Sequence, residues 1–396
     1  MQLQPVNGGH VEICVATPHG RFEITNWRPD NTIAELCQLN KIPPSAVSLY
    51  VETDGQLHLT TNLLAPVSGL VPEGSNLVIR PDRNINYHEI IPSTVLTDVQ
   101  DGDVSEYYFP RDSESHVLKG LSSKECQEYV YSRVAEAVAE FGEDLAVGPI
   151  VVGVSGGGDS NILVGALLAA GITNIQPVMM MGIPDWDKGR DRAEDICASH
   201  GVPIRIMESD EVGRLLGAKP GLNWVGSFEA TYPDVDLEML GTLAVRLVLS
   251  AVAKELGSKV VITGLNLEDL LGEALMCVLE GQRPLPYPRR KVGEVEIFYP
   301  LYKCPKKIID GCFPKYSLAN YEDRFPSRLR GRAIAYYLAQ SMNGLVPGIE
   351  FDLLEGLRSI SGTGWDSMHE DPDLGFTVLR QIGPDAKKRW LSFLGH

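Results

Sequence analysis

The sequence lacks the features of a membrane or secreted protein. No stretch approaches the ~18 consecutive apolar residues that a membrane-spanning helix needs. The first seven residues contain neither a basic segment nor an apolar core, so no secretory signal is expected. The seven cysteines are odd in number, scattered and without a C-x-x-C pair. This pattern indicates reduced thiols and argues against a zinc or iron–sulfur site, so we expect a cytoplasmic protein.

Positive charge is also scarce. Lys and Arg number 35 against 52 Asp and Glu, which gives a formal net charge of −17. Nucleic acids and membrane surfaces are polyanionic, so this balance argues against a general binder of either. Hydrophobic residues make up 44% and charged residues 22% of the 396 positions, as in an ordinary globular enzyme of two or three domains.

Residues 1–82 are predicted to form a small α+β domain. Short strand patterns surround one helix, which begins at a capping box formed by Thr32 and Glu35. The predicted order β-β-α-β-β-β resembles the β-grasp fold of ubiquitin-like domains. No diglycine tail is present, which argues against a sulfur carrier or modifier and leaves a structural module or a docking module for a protein partner. Residues 83–120 are polar and irregular, which predicts a linker.

Residues 121–345 are predicted to form an α/β domain. A second capping box, Ser122 to Glu125, begins a helix that Gly142 ends. From residue 149 onward, buried strand patterns alternate with helical ones, including a long helix over 237–256. This alternation predicts a doubly wound parallel sheet with ligands at the carboxyl ends of its strands. We expect residues 346–396 to form a C-terminal helical tail.

The most specific pattern is Ser155-Gly156-Gly157-Gly158-Asp159-Ser160, between a buried strand and a helix. Its glycines allow backbone N–H groups to approach an anion, and the helix N-terminus adds a positive dipole. Ser155 and Ser160 add hydroxyl donors. Asp159 fits among phosphate-binding groups if Mg²⁺ bridges it to the phosphates. The pattern is neither a Walker A nor a G-x-G-x-x-G motif.

This loop resembles the S-G-G-x-D-S signature of the PP-loop, or N-type ATP pyrophosphatase, superfamily, over residues 150–308. The resemblance implies an adenine nucleotide alpha hydrolase-like fold with ATP and Mg²⁺ as cofactors. It also implies transfer of AMP to a substrate oxygen with release of pyrophosphate, after which a second nucleophile displaces AMP. Loop residues Ser155 to Ser160 would hold the pyrophosphate.

A second match follows the predicted strand at 259–263. Gly264-Leu265-Asn266-Leu267-Glu268-Asp269 is similar to the G-H-x-x-D-D motif of tRNA lysidine and 2-thiocytidine synthetases, with Leu265 in place of the histidine. The resemblance implies a nucleotide contact at Gly264 and Asp269 and a metal contact at Glu268. The alternative is that the two acids merely favour the first turn of a helix. Met180 matches the place where the superfamily contacts adenine, although it also suits an ordinary core.

Cys304 and Cys312 are the candidate catalytic thiols. Tyr299 to Cys304 is similar to the R-P-L-x-x-C stretch of the 2-thiocytidine enzymes, and neighbouring lysines are expected to lower the thiol pKa. A thiolate would carry sulfur to the activated substrate. The alternative is that both cysteines are buried core residues.

Residues 281–332 form a basic segment. Twelve Lys or Arg against five Asp or Glu give it +7, so the rest of the chain carries −24. This asymmetry suggests contact with ATP phosphates, an RNA backbone or a phosphorylated small substrate. Charges on a solvated face are the alternative.

The sequence therefore predicts an ATP-dependent enzyme that adenylates a carbonyl or carboxyl oxygen and lets sulfur replace AMP, as in nucleobase or nucleoside thiolation. An amide-forming synthetase that uses ammonia or an amine is one alternative. Gln2 stands where an N-terminal-nucleophile glutaminase would expose a cysteine, so the nitrogen would come from elsewhere. A non-catalytic ATP-binding adaptor is the other alternative.

Overall fold

The computed structural model describes residues 11–17, 20–40, 42, 44, 47–81, 95–110, 116–143, 145, 148–323, 330–361, 369–378 and 381–396. The chain divides into two units, residues 1–91 and residues 92–396.

The first unit is a five-stranded sheet with one main helix. Its elements are β1 (Ile13–Thr17), β2 (Gly20–Glu23), α1 (Ile33–Leu39), β3 (Val47–Thr53), β4 (Gln56–Thr60), α2 (Val67–Leu70) and β5 (Asn76–Pro81). The strand order is β2-β1-β5-β3-β4, with β1 and β5 parallel and the other neighbours antiparallel. The capping box of Thr32 and Glu35 is present at the start of α1. The predicted element order is thus found with the addition of α2, whereas the likeness to β-grasp domains stays a prediction.

The predicted linker over 83–120 is wrong for its second half. This part forms β6 (Val95–Asp98), β7 (Ser105–Pro110) and β8 (His116–Leu121), in the sheet order β6-β8-β7. Tyr107 is buried, and its hydroxyl donates a hydrogen bond to the buried Glu350, 2.5 Å away. Glu350 is far from Tyr107 in the sequence, so the local sequence showed only polar, irregular residues and predicted a linker. Residues 83–94 and 111–115 lie outside the described residues.

The second unit is built on a six-stranded sheet. Its strands are β9 (Ile150–Gly153), β10 (Ile175–Met180), β11 (Arg205–Met207), β12 (Val260–Ile262), β13 (Arg289–Val292) and β14 (Val295–Phe298). The order is β11-β10-β9-β12-β14-β13, with only β13 antiparallel to its neighbour. Val152 points into one core and Val151 into another, so helices cover both faces. The predicted doubly wound parallel sheet is confirmed.

The helices of the second unit pack on this sheet. They are α3 (Ser123–Phe141), α4 (Gly158–Ala169), α5 (Pro184–Asp187), α6 (Arg190–Ser199), α7 (Ser209–Leu216), α8 (Trp224–Thr231), α9 (Leu237–Leu256), α10 (Leu267–Leu279), α11 (Lys306–Cys312), α12 (Pro314–Asp323), α13 (Arg330–Leu345), α14 (Ile349–Ser361) and α15 (Pro384–Phe393). A hairpin of β15 (His369–Asp371) and β16 (Phe376–Val378) precedes α15. Leu354 of α14 and Phe393 of α15 are fully buried, one in each core. Residues 346–396 therefore complete both cores rather than forming a separate tail.

Candidate active site

The glycine-rich loop connects β9 to α4 at the carboxyl end of the sheet. Gly156 has a left-handed φ of 74°, and a Cβ atom there would lie 2.2 Å from the carbonyl oxygen of Gly189. A Cβ atom on Gly189 would lie 2.3 Å from the carbonyl oxygen of Ser155. Two stretches of backbone thus approach each other where only glycine fits.

The loop leaves the beginning of α4 open to a ligand. Gly157 occupies the N-cap position, and no side chain caps the first turn. The hydroxyl of Ser160 accepts the backbone N–H of Ser155 at 2.9 Å, which fixes the loop from inside. The uncapped N–H groups and the helix dipole form a site for an anion such as phosphate.

A cleft of about 280 Å³ lies over this loop. The predicted site residues that line it are Ser155, Gly157, Asp159, Ser160, Met180, Gly264 and Asp269. Gly156, Gly158 and Glu268 are not among its lining residues. Arg332, at the end of the basic segment that was expected to face an anion, also lines the cleft. Sequence analysis did not indicate the other polar and aromatic lining residues, namely Trp186, Glu238, Thr242, Asn320 and Tyr336.

Asp159 lies between two polar partners. The ammonium of Lys306 is 2.7 Å from its Oδ2, and the amide of Asn266 donates to its Oδ1 at 3.0 Å. Lys306 also pairs with Asp310 at 2.9 Å. Burial lowers the pKa of Lys306, but the charges of Asp159 and Asp310 outweigh it and raise that pKa above its usual value. Lys306 therefore stays a cation beside the loop.

The two acids of the second motif have different roles. Asp269 lines the cleft and forms a capping box with Asn266 at the start of α10. Burial, with a contribution from the charge of Asp159, raises the pKa of Asp269 to about 6. Glu268 instead accepts the backbone N–H of Lys306 at 2.7 Å, and burial raises its pKa to about 7. Glu268 thus holds the start of α11 and does not line the cleft, and the metal contact expected there stays a prediction.

The carboxylates of Asp159 and Asp269 fit a magnesium ion that is shared with phosphates. Protein-bound Mg²⁺ usually takes only one or two carboxylates beside phosphate oxygens and water. Within the described ranges, no three His, Cys, Asp or Glu side chains form a group that could hold a metal ion by themselves. Burial and the charge of Asp159 both disfavour the ionised form of Asp269, and a cation beside it would favour that form.

Helices α9 and α13 form the wall opposite the loop. Glu238 and Arg332 form an ion pair at 2.8 Å, and the Arg332 guanidinium lies 5.2 Å from the centre of the Tyr336 ring. Trp186 packs against Gly241, where a Cβ atom would lie 2.5 Å from the indole. The lining residues of α9 follow helical spacing along one face, which is the one sequence signal that could have indicated them.

The two candidate catalytic thiols lie away from the cleft. Cys304 and Cys312 are 0% and 1% exposed, and neither lines the cleft. The Cys312 thiol lies 3.4 Å from the carbonyl oxygen of Ile308. Burial raises the pKa of both thiols, contrary to the predicted lowering by neighbouring lysines. Both cysteines therefore lie in the core, as in the alternative interpretation, and a catalytic role for either stays a prediction.

Several cations of the basic segment form ion pairs within the protein. The pairs are Arg289 with Glu296, Arg290 with Glu273, Lys303 with Glu355, Lys306 with Asp159, and Arg332 with Glu238. Two of these cations, Lys306 and Arg332, are close to the cleft or line it. Contact with RNA through this segment stays a prediction.

Comparisons with known proteins identify the fold. No protein-family model and no curated protein matches the sequence. A U34-tRNA thiolase, NcsA from Methanococcus maripaludis with its [4Fe-4S] cluster, is similar in structure with a TM-score of 0.51 and 18% identity. The similarity covers 62% of this chain and 83% of the thiolase. The chain therefore shares the α/β fold of this thiolase, with its mostly parallel sheet.

Two further solved structures are more distant. An NH₃-dependent NAD synthetase from Campylobacter jejuni has a TM-score of 0.34 and 17% identity, over 61% of this chain and 94% of its own. The NMN synthetase from Francisella tularensis has a TM-score of 0.34 and 14% identity, over 69% of this chain and 94% of its own. The conclusion on the fold rests on the thiolase.

The thiolase's iron–sulfur cluster has no matching donors in the described part of this chain. All seven cysteines are unpaired and buried, and no three potential metal ligands lie together there. Among the described residues, no helix is long and apolar enough to cross a membrane.

Proposed function

We propose that this chain is an enzyme that binds ATP in the cleft, transfers AMP to an oxygen atom of an acceptor and releases pyrophosphate. One observation carries the proposal: an uncapped helix N-terminus follows a glycine-rich loop, with Asp159 and Asp269 beside it. This arrangement offers backbone donors for phosphate and carboxylates for a bridging Mg²⁺. It lies at the carboxyl ends of parallel strands, where such sheets bind ligands.

The cleft suggests how ATP would lie. The loop from Ser155 to Ser160 would bind the β- and γ-phosphates, and the apolar end of β10 at Met180 would contact adenine. Bound Mg²⁺ would neutralise charge on the leaving pyrophosphate. Lys306 lies next to Asp159 and would add a second positive charge on the same side. These groups stabilise the charge that develops as the Pα–O bond to pyrophosphate breaks.

The acceptor oxygen attacks the α-phosphorus, so a new P–O bond forms as pyrophosphate leaves. A second nucleophile then adds to the activated carbon, and AMP leaves with the oxygen. We propose a nucleoside acceptor and sulfur as this nucleophile, supported by the fold shared with a tRNA thiolase. The described cysteines are buried, so the sulfur would come from a donor outside this chain.

The same burial supports one alternative. A site without an exposed thiol suits ammonia or an amine, which would make the product an amide. We propose the cytoplasm as the location, in keeping with seven unpaired cysteines. The N-terminal unit would then dock a protein partner, such as the donor of sulfur or nitrogen.

Asp159→Asn tests the proposal directly. The protein is incubated with Mg-ATP and a pooled extract of metabolites and tRNA, and nucleotides and acceptors are analysed by mass spectrometry. We expect AMP and pyrophosphate from the wild type and at least a ~100-fold slower rate from the variant, as when one key charge-stabilising group is removed. A mass shift on one extract component would identify the acceptor: sulfur in place of oxygen raises its mass, whereas an amino group from ammonia in place of a hydroxyl lowers it slightly.

Asp195→Asn is the matched control, because Asp195 is exposed on α6 and does not line the cleft. It should react at the wild-type rate. ADP as the product, or equal rates for wild type and Asp159→Asn, would contradict the proposal. Binding of ATP without any turnover would favour the adaptor alternative.

A further inference from the structure

Helix α12 crosses the glycine-rich loop with one polar face. Ser317, Asn320 and Asp323 are spaced three residues apart, which places them on the same side of the helix. Residues on the opposite side, Leu318 and Tyr321, are 58% and 80% exposed. Three polar residues of α12 are therefore half-buried while two large apolar ones face solvent, which an ordinary surface helix would reverse.

Ser317 and Asn320 lie directly against the loop glycines. A Cβ atom on Gly158 would be 2.5 Å from the Ser317 hydroxyl oxygen. A Cβ atom on Gly157 would be 3.2 Å from the amide carbon and oxygen of Asn320. Asn320 also lines the cleft. Both side chains therefore reach the first turn of α4, where the anion would bind.

The Ser317 hydroxyl lacks a hydrogen-bond partner among the described residues, although its oxygen is buried. Buried hydroxyl groups in folded proteins nearly always have a partner, so an exception needs an explanation. A phosphate oxygen at the start of α4 would supply an acceptor for this hydroxyl.

Arg192 fixes α12 in this position. Its Nη1 forms an ion pair with Asp323 at 2.7 Å, and its Nε donates to the carbonyl oxygen of Gly156 at 3.1 Å. The ammonium of Lys188 donates to the carbonyl oxygen of Asp323 at 3.3 Å. One guanidinium therefore joins the end of α12 to the loop itself.

We infer that α12 forms the outer wall of the pyrophosphate subsite, with Ser317 and Asn320 donating hydrogen bonds to the β- and γ-phosphates. This inference rests on the proposed function, because it assigns two further binding residues to the same nucleotide. The two side chains add neutral donors where the loop supplies only backbone N–H groups and two serine hydroxyls. They make α12 a determinant of specificity for nucleotides that carry a β-phosphate.

Affinity for ligands of different phosphate content tests the inference. Ser317→Ala and Asn320→Ala are compared with the wild type by isothermal titration calorimetry, with Mg²⁺ and α,β-methylene-ATP, AMP or inorganic pyrophosphate. Loss of a hydrogen bond to a charged group weakens binding by about 10- to 100-fold. We expect this loss for the ATP analogue and for pyrophosphate, with AMP binding unchanged. Unchanged AMP affinity also shows that the variants are folded.

Leu318→Ala is the matched control, since it truncates the exposed side of the same helix. It should bind all three ligands as the wild type does. Wild-type affinity of both polar variants for pyrophosphate would overturn the inference, as would an equal loss for AMP, which would mean that α12 merely shapes the cleft. A wild-type chain that bound AMP and ATP equally would overturn it as well. A wild type that bound none of the three ligands would overturn the proposed function and this inference with it.

Discussion

At the scale of single residues, Gly156 occupies a position in the loop where no other residue fits. Gly156 combines a left-handed backbone with a carbonyl oxygen that leaves no room for a Cβ atom. An alanine in the left-handed region costs about 1–2 kcal/mol before any clash is counted. Since the obstructing atom belongs to the backbone, it cannot rotate away as a flexible side chain would.

We therefore expect Gly156→Ala to weaken ATP binding by at least about tenfold and to destabilise the second unit by roughly 1–2 kcal/mol or more. Calorimetric titration with ATP and urea unfolding measure the two effects. Gly356→Ala is the control, because Gly356 is exposed within α14 and a Cβ atom there meets nothing within 4 Å. It should gain up to about 1 kcal/mol of helix stability. Equal behaviour of the two variants would contradict this account of the loop.

The residues of the site that lie in short motifs were predictable from the sequence, including Gly264 and Asp269, whereas pairings between distant segments were not. The loop from Ser155 to Ser160 carries its chemistry within six positions. Lys306 reaches Asp159 from 147 residues away, and no local pattern announces that pairing. The thiols of Cys304 and Cys312 show the opposite error, because neighbouring lysines suggested a reactive cysteine while three-dimensional packing buries both.

At the scale of elements, sequence patterns predicted the structure correctly where the hydrogen-bonding partners lie close together in the sequence. Both predicted capping boxes are present, at Thr32 and at Ser122, because their partners lie three residues apart. The strands β6, β7 and β8 escaped prediction because they pair mainly with each other across polar turns. Two of their buried anchors meet partners far along the chain: the Tyr107 hydroxyl bonds a residue 243 positions later, and the Ser105 hydroxyl bonds one 202 positions later.

The anchor at Tyr107 gives a prediction about the elements it joins. Glu350 accepts hydrogen bonds from Tyr107 of β7 and from Asn343 of α13, 2.5 and 2.8 Å away. Tyr107→Phe removes one donor from a buried carboxylate, so we expect a loss of about 1–3 kcal/mol in the free energy of unfolding. Urea denaturation measures it. Tyr337→Phe, at a ring that is 70% exposed, should change stability by less than about 0.5 kcal/mol. A similar loss in both variants would mean that the buried network contributes nothing specific.

At the scale of the whole molecule, the chain behaves as two units with separate cores. The apolar core of the first unit, around Leu36 and Ile79, contains no residue of the second unit. The two cores of the second unit likewise contain only residues beyond 91. Periodicity predicted the element order of the first unit apart from α2 and the alternation of strands and helices in the second unit, but not β6 to β8.

Deletion of residues 1–91 should therefore leave a folded protein that binds ATP. Each core keeps all of its members, so we expect the Tm of the remaining unit to change by less than a few degrees. Circular dichroism on heating and the Kd for ATP are measured against the full chain. Aggregated protein, or ATP binding weakened more than about tenfold, would show that the second unit needs the first.

The mutual approach of Gly156 and Gly189 also has an evolutionary consequence. A Cβ atom on Gly156 would meet the carbonyl oxygen of Gly189, and one on Gly189 would meet the carbonyl oxygen of Ser155. Because both obstructing atoms belong to the backbone, a side-chain change at one position cannot make room for a side chain at the other. Descendants that keep this loop must inherit both glycines, thirty-three positions apart, however far the rest of the sequence drifts. The pair is therefore a signature by which other chains with the same loop geometry could be recognised.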